Sequence, residues 1–197
     1  MLKTADQPDP NAPAGRAALE LASRLKACDL GMAYAERIGD IGHLWANNPR
    51  AEFFFWYWAK AMGKDARRDP RFRMFCNIAL IPYHHLFTDQ DSQSIARTIN
   101  AAKPRGPAEW SAIAVFSVAR AREYSRKRFP WLAAVGTSNW LCAASTALAM
   151  VDGKDGAGAF NAEQARQAEI LRGLFDDPLQ SLVPSVAAVT ETLSTRQ

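Results

Sequence analysis

Phe53-Phe54-Phe55-Trp56-Tyr57-Trp58 is an unbroken run of six aromatic residues, and how it is read governs everything around it. No single face of a regular element holds all six. On a helix at about 100° per residue they sweep roughly 500°, and on a strand they alternate across both faces. Each covered ring buries ~150–250 Å², so the run carries on the order of 1,000 Å² of mostly apolar surface. A monomer rarely exposes a contiguous apolar patch above about 300–600 Å². The run therefore belongs in a core, against a partner, or at a membrane. Core packing is the first expectation. A protein-partner interface built from Phe53, Phe54, Phe55, Trp56, Tyr57 and Trp58 is the second, and an aromatic cage around a ligand is a third.

Outward from the run, the punctuation is that of helices. Asn48-Pro49, Asp69-Pro70 and Asp177-Pro178 each place a side-chain acceptor before a proline, as at an N-cap followed by the first helical residue. Gly106-Pro107 is a weaker version of the same start, and Asn161-Ala162-Glu163-Gln164 has the form of a capping box. Between these signals the apolar spacing is helical. It runs through Leu19, Ala22, Leu25, Ala33, Ile38 and Ile41 with a break near Gly31, then through Phe72, Phe75, Ile78, Ala79 and Phe87. Pro82 is expected to bend or end that second helix. Further stripes cover Ile95 to Ile99, then Trp110, Ile113, Val118 and Ala121, then Ile170, Leu171, Leu174 and Phe175. No stretch alternates as a strand does. The expected fold class is all-α, a single bundle-like domain of seven to nine helices over residues 16–183. Residues 1–15 read as a disordered arm, and 184–197 as a loose or weakly helical tail.

A chain of 197 residues buries enough surface to fold without staples. Cys28, Cys76 and Cys142 are odd in number, far apart and set among apolar residues. This fits buried thiols in a reducing cytoplasm better than a disulfide framework. Residues 1–15 have no apolar core of the kind a signal peptide needs. Residues 129–151 contain no charge and follow Arg126-Lys127-Arg128, the pattern of a membrane span with its cytoplasmic flank. Gly136-Thr137-Ser138-Asn139 and Ser145-Thr146 argue instead for a central bundle helix close-packed through small residues. A membrane-associated helix is the lesser alternative.

Charge is concentrated. Residues 60–73 carry Lys60, Lys64, Arg67, Arg68, Arg71 and Arg73 against Asp65 and Asp69, and residues 120–128 carry Arg120, Arg122, Arg126, Lys127 and Arg128 against Glu123. Each segment is net +4, so the remainder is net −4 in a chain of +4. Such segments can meet phosphates, with neighbouring aromatics stacking on unpaired bases. The candidate phosphate or nucleic-acid residues are Arg67, Arg68, Arg71, Arg73, Arg126, Lys127 and Arg128. If the second segment stays helical it forms no single stripe, so two solvated helix ends are the first reading and phosphate binding the lesser one.

Catalytic spacing is thin. Glu36, Asp40 and His43 share one helical face, and Asp40-x-x-His43 has the spacing of carboxylate-bridged di-iron bundles, but no second carboxylate-x-x-His follows. His84 and His85 diverge by about 100° on a helix, so no metal site is expected. There is no nucleophile elbow and no Cys-x-x-Cys, and Gly153 to Gly158 lacks phosphate-loop order and reads as a connector. Neither a catalytic residue nor a cofactor is expected.

Arg71-Phe72-Arg73-Met74-Phe75-Cys76, with His85-Leu86-Phe87-Thr88-Asp89 and Ser92, resembles an Arg/Lys-Leu-Arg-Leu-Phe-Ala-Cys…His-Leu-Leu-Thr-Asp-x-x-Ser pattern. That pattern belongs to uncharacterised all-helical proteins common in planctomycete bacteria. Residues 165–178, ending Leu174-Phe175-Asp176-Asp177-Pro178, are similar to the same group's C-terminal segment. The resemblance spans about residues 71–178. Asn77 to Tyr83 replace the group's Cys-Cys-Arg-Arg stretch, and the aromatic run has no counterpart there. The resemblance implies helices and a cytoplasmic setting, and no activity. Taken together, the residues point to a non-catalytic helical subunit or protein-interaction module with a protein partner or a second copy of itself. A nucleic-acid or phosphate binder is the alternative.

Overall fold

A computed structural model of the chain describes residues 19, 21–38, 45–61, 67–87 and 106–175. Every regular element among them is helical and none is a strand; the eight α-helices fall within the expected seven to nine. In chain order the principal elements are α1 (Asp29–Ile38), α2 (Ala51–Ala61), α3 (Arg71–Leu80), a 3-10 helix η1 (Ile81–Leu86), α4 (Pro107–Ser125), α5 (Pro130–Val151) and α6 (Gly156–Leu174). Short helical turns occupy 21–24 and 45–47. The chain divides into two compact units, one of residues 49–174 and the other of residues 1–48 with 175–197. The expected arm at 1–15, the tail at 184–197, the Ile95 to Ile99 stripe and Asp177-Pro178 lie outside the described residues.

Proline sets most of the helix starts. α4 and α5 each open with proline in the first turn, behind Gly106 and Phe129 in extended conformation. Before α3, Asp69 Oδ1 accepts the Arg71 N–H at 2.8 Å, as the Asp-Pro signal predicts. Pro82 also acts as expected. α3 stops at Leu80 and the chain tightens into η1, because proline has no N–H for the next α-helical bond.

Three local expectations are corrected. The capping box at Asn161 to Gln164 is not a helix start. α6 begins at Gly156, where Asp155 Oδ1 accepts the Ala157 N–H at 2.9 Å and supplies a cap more than a turn earlier. The connector is accordingly shorter than Gly153 to Gly158. It begins with Gly153 in the left-handed region (φ 67), and the Lys154 N–H to Ala149 carbonyl bond (2.8 Å) and the Gly153 N–H to Met150 carbonyl bond (3.2 Å) terminate α5 around it. Gly31 breaks nothing. The break lies at Lys26, which takes the left-handed conformation (φ 55) and closes the preceding turn with the same bond pattern, while Gly31 sits inside α1.

Within residues 49–174, α5 is the central element, packing against α4 most extensively and also against α6, α3 and α2. By length and composition α5 is the one described helix apolar enough to cross a membrane. Its small and polar residues are the ones that dock its neighbours. A Cβ on Gly136 would fall within 2.7 Å of three carbons of the Tyr124 ring, so glycine is what lets α4 and α5 approach. Thr137 Oγ1 donates to the Ala121 carbonyl at 3.1 Å, and Ser138 bonds Gln167 of α6.

The aromatic run forms α2, and four of its six side chains, Phe54, Phe55, Tyr57 and Trp58, are buried. Phe55 meets Phe75 edge-on with centroids 5.3 Å apart, and Trp58 meets Phe72 edge-on at 6.3 Å. The Arg172 guanidinium covers the Phe54 ring at 5.4 Å. A helix surrounded by neighbours resolves the difficulty of a run that sweeps more than a full turn, since it can bury rings on several sides at once.

Candidate anion-binding face

Residues of the first basic segment bond residues of the second and of the helix that follows it, all within the 49–174 unit. Arg73, in the first turn of α3, reaches across to the end of α4. One guanidinium nitrogen donates to the Ser125 carbonyl, and the other donates to the Lys127 carbonyl and to the Arg128 carbonyl (3.2 Å). These are carbonyls at a helix terminus, where the last acceptors lack intrahelical partners. A second stitch joins the backbones directly, the Trp131 N–H donating to the Arg67 carbonyl at 3.2 Å. The Arg67 guanidinium lies 5.2 Å above the Trp131 ring, and Trp131 Nε1 donates to the Phe55 carbonyl of α2 at 3.2 Å. The aromatic run thus anchors the tryptophan on which one basic segment rests.

The second basic segment does not stay helical throughout: α4 ends at Ser125 and residues 126–129 make a turn. Turn geometry directs Arg126, Lys127 and Arg128 outward, where all three are exposed alongside Arg67 and Arg68. Few acids oppose them. Glu123 pairs with Arg120 and with Lys127 (3.2 Å). Asp69 is held by Arg71 through Nε at 3.1 Å and Nη2 at 2.7 Å, and that guanidinium keeps the Asp69 carboxyl below its ordinary value of 3.8. Arg71 also donates to the Leu174 carbonyl at 3.2 Å. Of the seven predicted phosphate residues, Arg71 and Arg73 therefore serve the scaffold, and Arg67, Arg68, Arg126, Lys127 and Arg128 are exposed.

A second cluster escaped the sequence reading. Glu163 of α6 is buried and accepts from the Tyr83 hydroxyl at 3.0 Å, from Arg166 at 2.7 and 2.9 Å, and from Gln167 Nε2 at 2.6 Å. Arg166 passes a further bond to the Ala79 carbonyl at 2.9 Å. Beside it Gln164 Oε1 accepts the Glu52 N–H of α2 at 3.3 Å and its Nε2 meets Cys142 Sγ at 3.2 Å. Burial and the Glu163 charge push the Tyr83 hydroxyl up and the Cys142 thiol up to about 12; burial likewise raises Cys76. Burial lowers Arg166, but its bonds to Glu163 outweigh that and the net shift is upward. Thiols so placed remain protonated and unreactive at neutral pH. Each group in the cluster has partners from another helix, so the cluster joins α2, α3, η1, α5 and α6. The legible signal was the spacing of Glu163 and Gln167, one turn apart, against Ser138 and Cys142, also one turn apart.

Among the metal candidates Glu36 is exposed on α1, and Asp40 and His43 lie outside the described residues. His84 and His85 are both exposed on η1, His84 lying 4.6 Å from the Phe87 ring. No group of three or more His, Cys, Asp or Glu among the described residues is arranged to hold a metal. Cys28 is exposed, and all three cysteines are free. Comparison with protein-family models, with characterised proteins and with solved structures finds no match.

Proposed function

We propose that the protein is a non-catalytic helical interaction module that binds a phosphate-bearing polyanion through the face formed by Arg67, Arg68, Arg126, Lys127 and Arg128. The observation that carries this reading is the Arg73 bridge, which holds the two basic segments together through carbonyl acceptors and cancels none of their charge. Exposed cations fixed on one surface attract multivalent anions and release the anions' condensed counterions on contact, so binding weakens steeply as salt rises. Titration with heparin as a model polyanion tests it. Binding at low salt should fall on salt addition and be weakened at least tenfold by the pair Arg68→Gln/Arg126→Gln. Heparin binding that ignores both salt and this pair would sink the reading.

A protein partner or second copy of the chain is favoured by a different observation. Met74, Ile78 and Ile81 succeed one another along the outer side of α3 and η1, all of them exposed. Phe53 and Trp56, the two half-buried members of the aromatic run, meet with their rings tilted and centroids 5.9 Å apart. A light-scattering mass above 21.7 kDa that returns to this value in Met74→Ser/Ile78→Ser would establish self-association through that side. The expected setting is a reducing cytoplasm, in keeping with three free thiols.

A further inference from the structure

The anion-binding face carries more than charge. Phe129 is 48% exposed and Leu132 is 49% exposed, one turn apart where α5 begins, directly after Arg126-Lys127-Arg128. The Arg128 guanidinium lies 5.8 Å from the Phe129 ring, so cation and ring occupy the same spot on the surface. Arg67 and Arg68 adjoin the same turn through the Trp131 N–H bond to the Arg67 carbonyl. Nothing about phosphate recognition alone calls for two large apolar side chains held in water among cations. A bilayer with anionic headgroups calls for both features, because phosphates meet the cations while apolar side chains enter the boundary of the acyl region. A single-stranded nucleic acid would stack on a ring but makes no use of Leu132, and stacking needs an open aromatic face. The ring best placed for that, Trp131, is covered by Arg67 and tied by its Nε1 to the Phe55 carbonyl.

We propose that the polyanion is the surface of an anionic phospholipid bilayer, on which the protein lies with Arg67, Arg68, Arg126 and Arg128 over the headgroups and Phe129 and Leu132 inserted between them. This rests on the polyanion reading above and narrows it to one ligand. α5 does not cross the bilayer in this arrangement. Its flanks are committed to α4, α6, α3 and α2, and only its first turn meets lipid.

The full chain is mixed with vesicles of phosphatidylcholine alone and of phosphatidylcholine with phosphatidylglycerol, and partitioning is measured by sedimentation. Binding is expected to the anionic vesicles and not to the neutral ones. It should fall by roughly fivefold for each cation removed, so about twenty-five-fold for Arg68→Gln/Arg126→Gln. The pair Phe129→Ser/Leu132→Ser should cost on the order of tenfold in vesicle binding and leave heparin binding unchanged. Serine is favoured at the N-cap position that Phe129 occupies, so this variant keeps the start of α5. Heparin and oligo-dT binding without vesicle binding would overturn the lipid assignment and leave the polyanion reading standing. Vesicle binding indifferent to Phe129 and Leu132 would also overturn it, and absence of binding to vesicles and heparin alike would remove both.

Discussion

Gly136 shows how much of the packing rests on single atoms. Its missing Cβ is filled by the Tyr124 ring, and a protein interior near close packing has no room to yield. Gly136→Ala should therefore destabilise by about 3 kcal/mol, at the upper end of overpacking costs, and thermal unfolding would show it. A double variant with Tyr124→Ala should recover part of that loss, since the ring is what the methyl meets. The cysteines differ among themselves for the same local reasons. Cys28 is exposed, whereas Cys142 is buried with its thiol pushed up to about 12, so a disulfide reagent should label one thiol quickly in the folded protein and the others only on unfolding. At Asp69 the sign of the pH effect follows from its lowered value. The bond to Arg71 contributes fully above the ordinary carboxylate value of 3.8 and is lost as pH falls through the lower folded value. The stability gap between the parent and Asp69→Asn should then close below pH 3.8, as denaturant titrations across that range would show.

Among the elements, α2, α5 and α6 differ in how plainly the sequence announces them. Proline starts and apolar spacing made α3, α4 and α5 readable, because these are properties of neighbouring residues. The start of α6 differs from the expected one because Asp155 and Asn161 are both competent caps, and which one acts is decided by where α5 ends, at Val151 ahead of the Gly153 turn. The buried Glu163 cluster was hidden for a related reason. A glutamate beside glutamines reads as a solvated face unless one knows that Tyr83, Ser138 and Cys142 arrive from other helices. Removing its centre should be costly. Glu163→Ala removes the shared acceptor of Tyr83, Gln167 and Arg166, and leaves the Arg166 charge with only the Ala79 carbonyl, a loss of about 3 kcal/mol for a partly buried pair. Tyr83→Phe removes one donor from an acceptor that keeps its others and should cost only about 1 kcal/mol by chemical denaturation.

At the scale of the molecule, the basic segments were visible in the sequence but their meeting was not. Arg73 had to cross from α3 to the end of α4, and α4 had to stop at Ser125 for the turn to direct its cations outward. Carbonyl acceptors have a further consequence. An arginine that pairs with a carboxylate surrenders its field, whereas one bonded to carbonyls keeps it, so Arg73 adds to the repulsion among the very cations it gathers. The fold thus stores an electrostatic load at this end, and any multivalent anion that settles there relieves it. Tripolyphosphate at low ionic strength should raise the melting temperature of the parent and have much less effect on Arg68→Gln/Arg126→Gln. Ligand and scaffold are then coupled without any moving part, and the empty protein is the tenser of the two states.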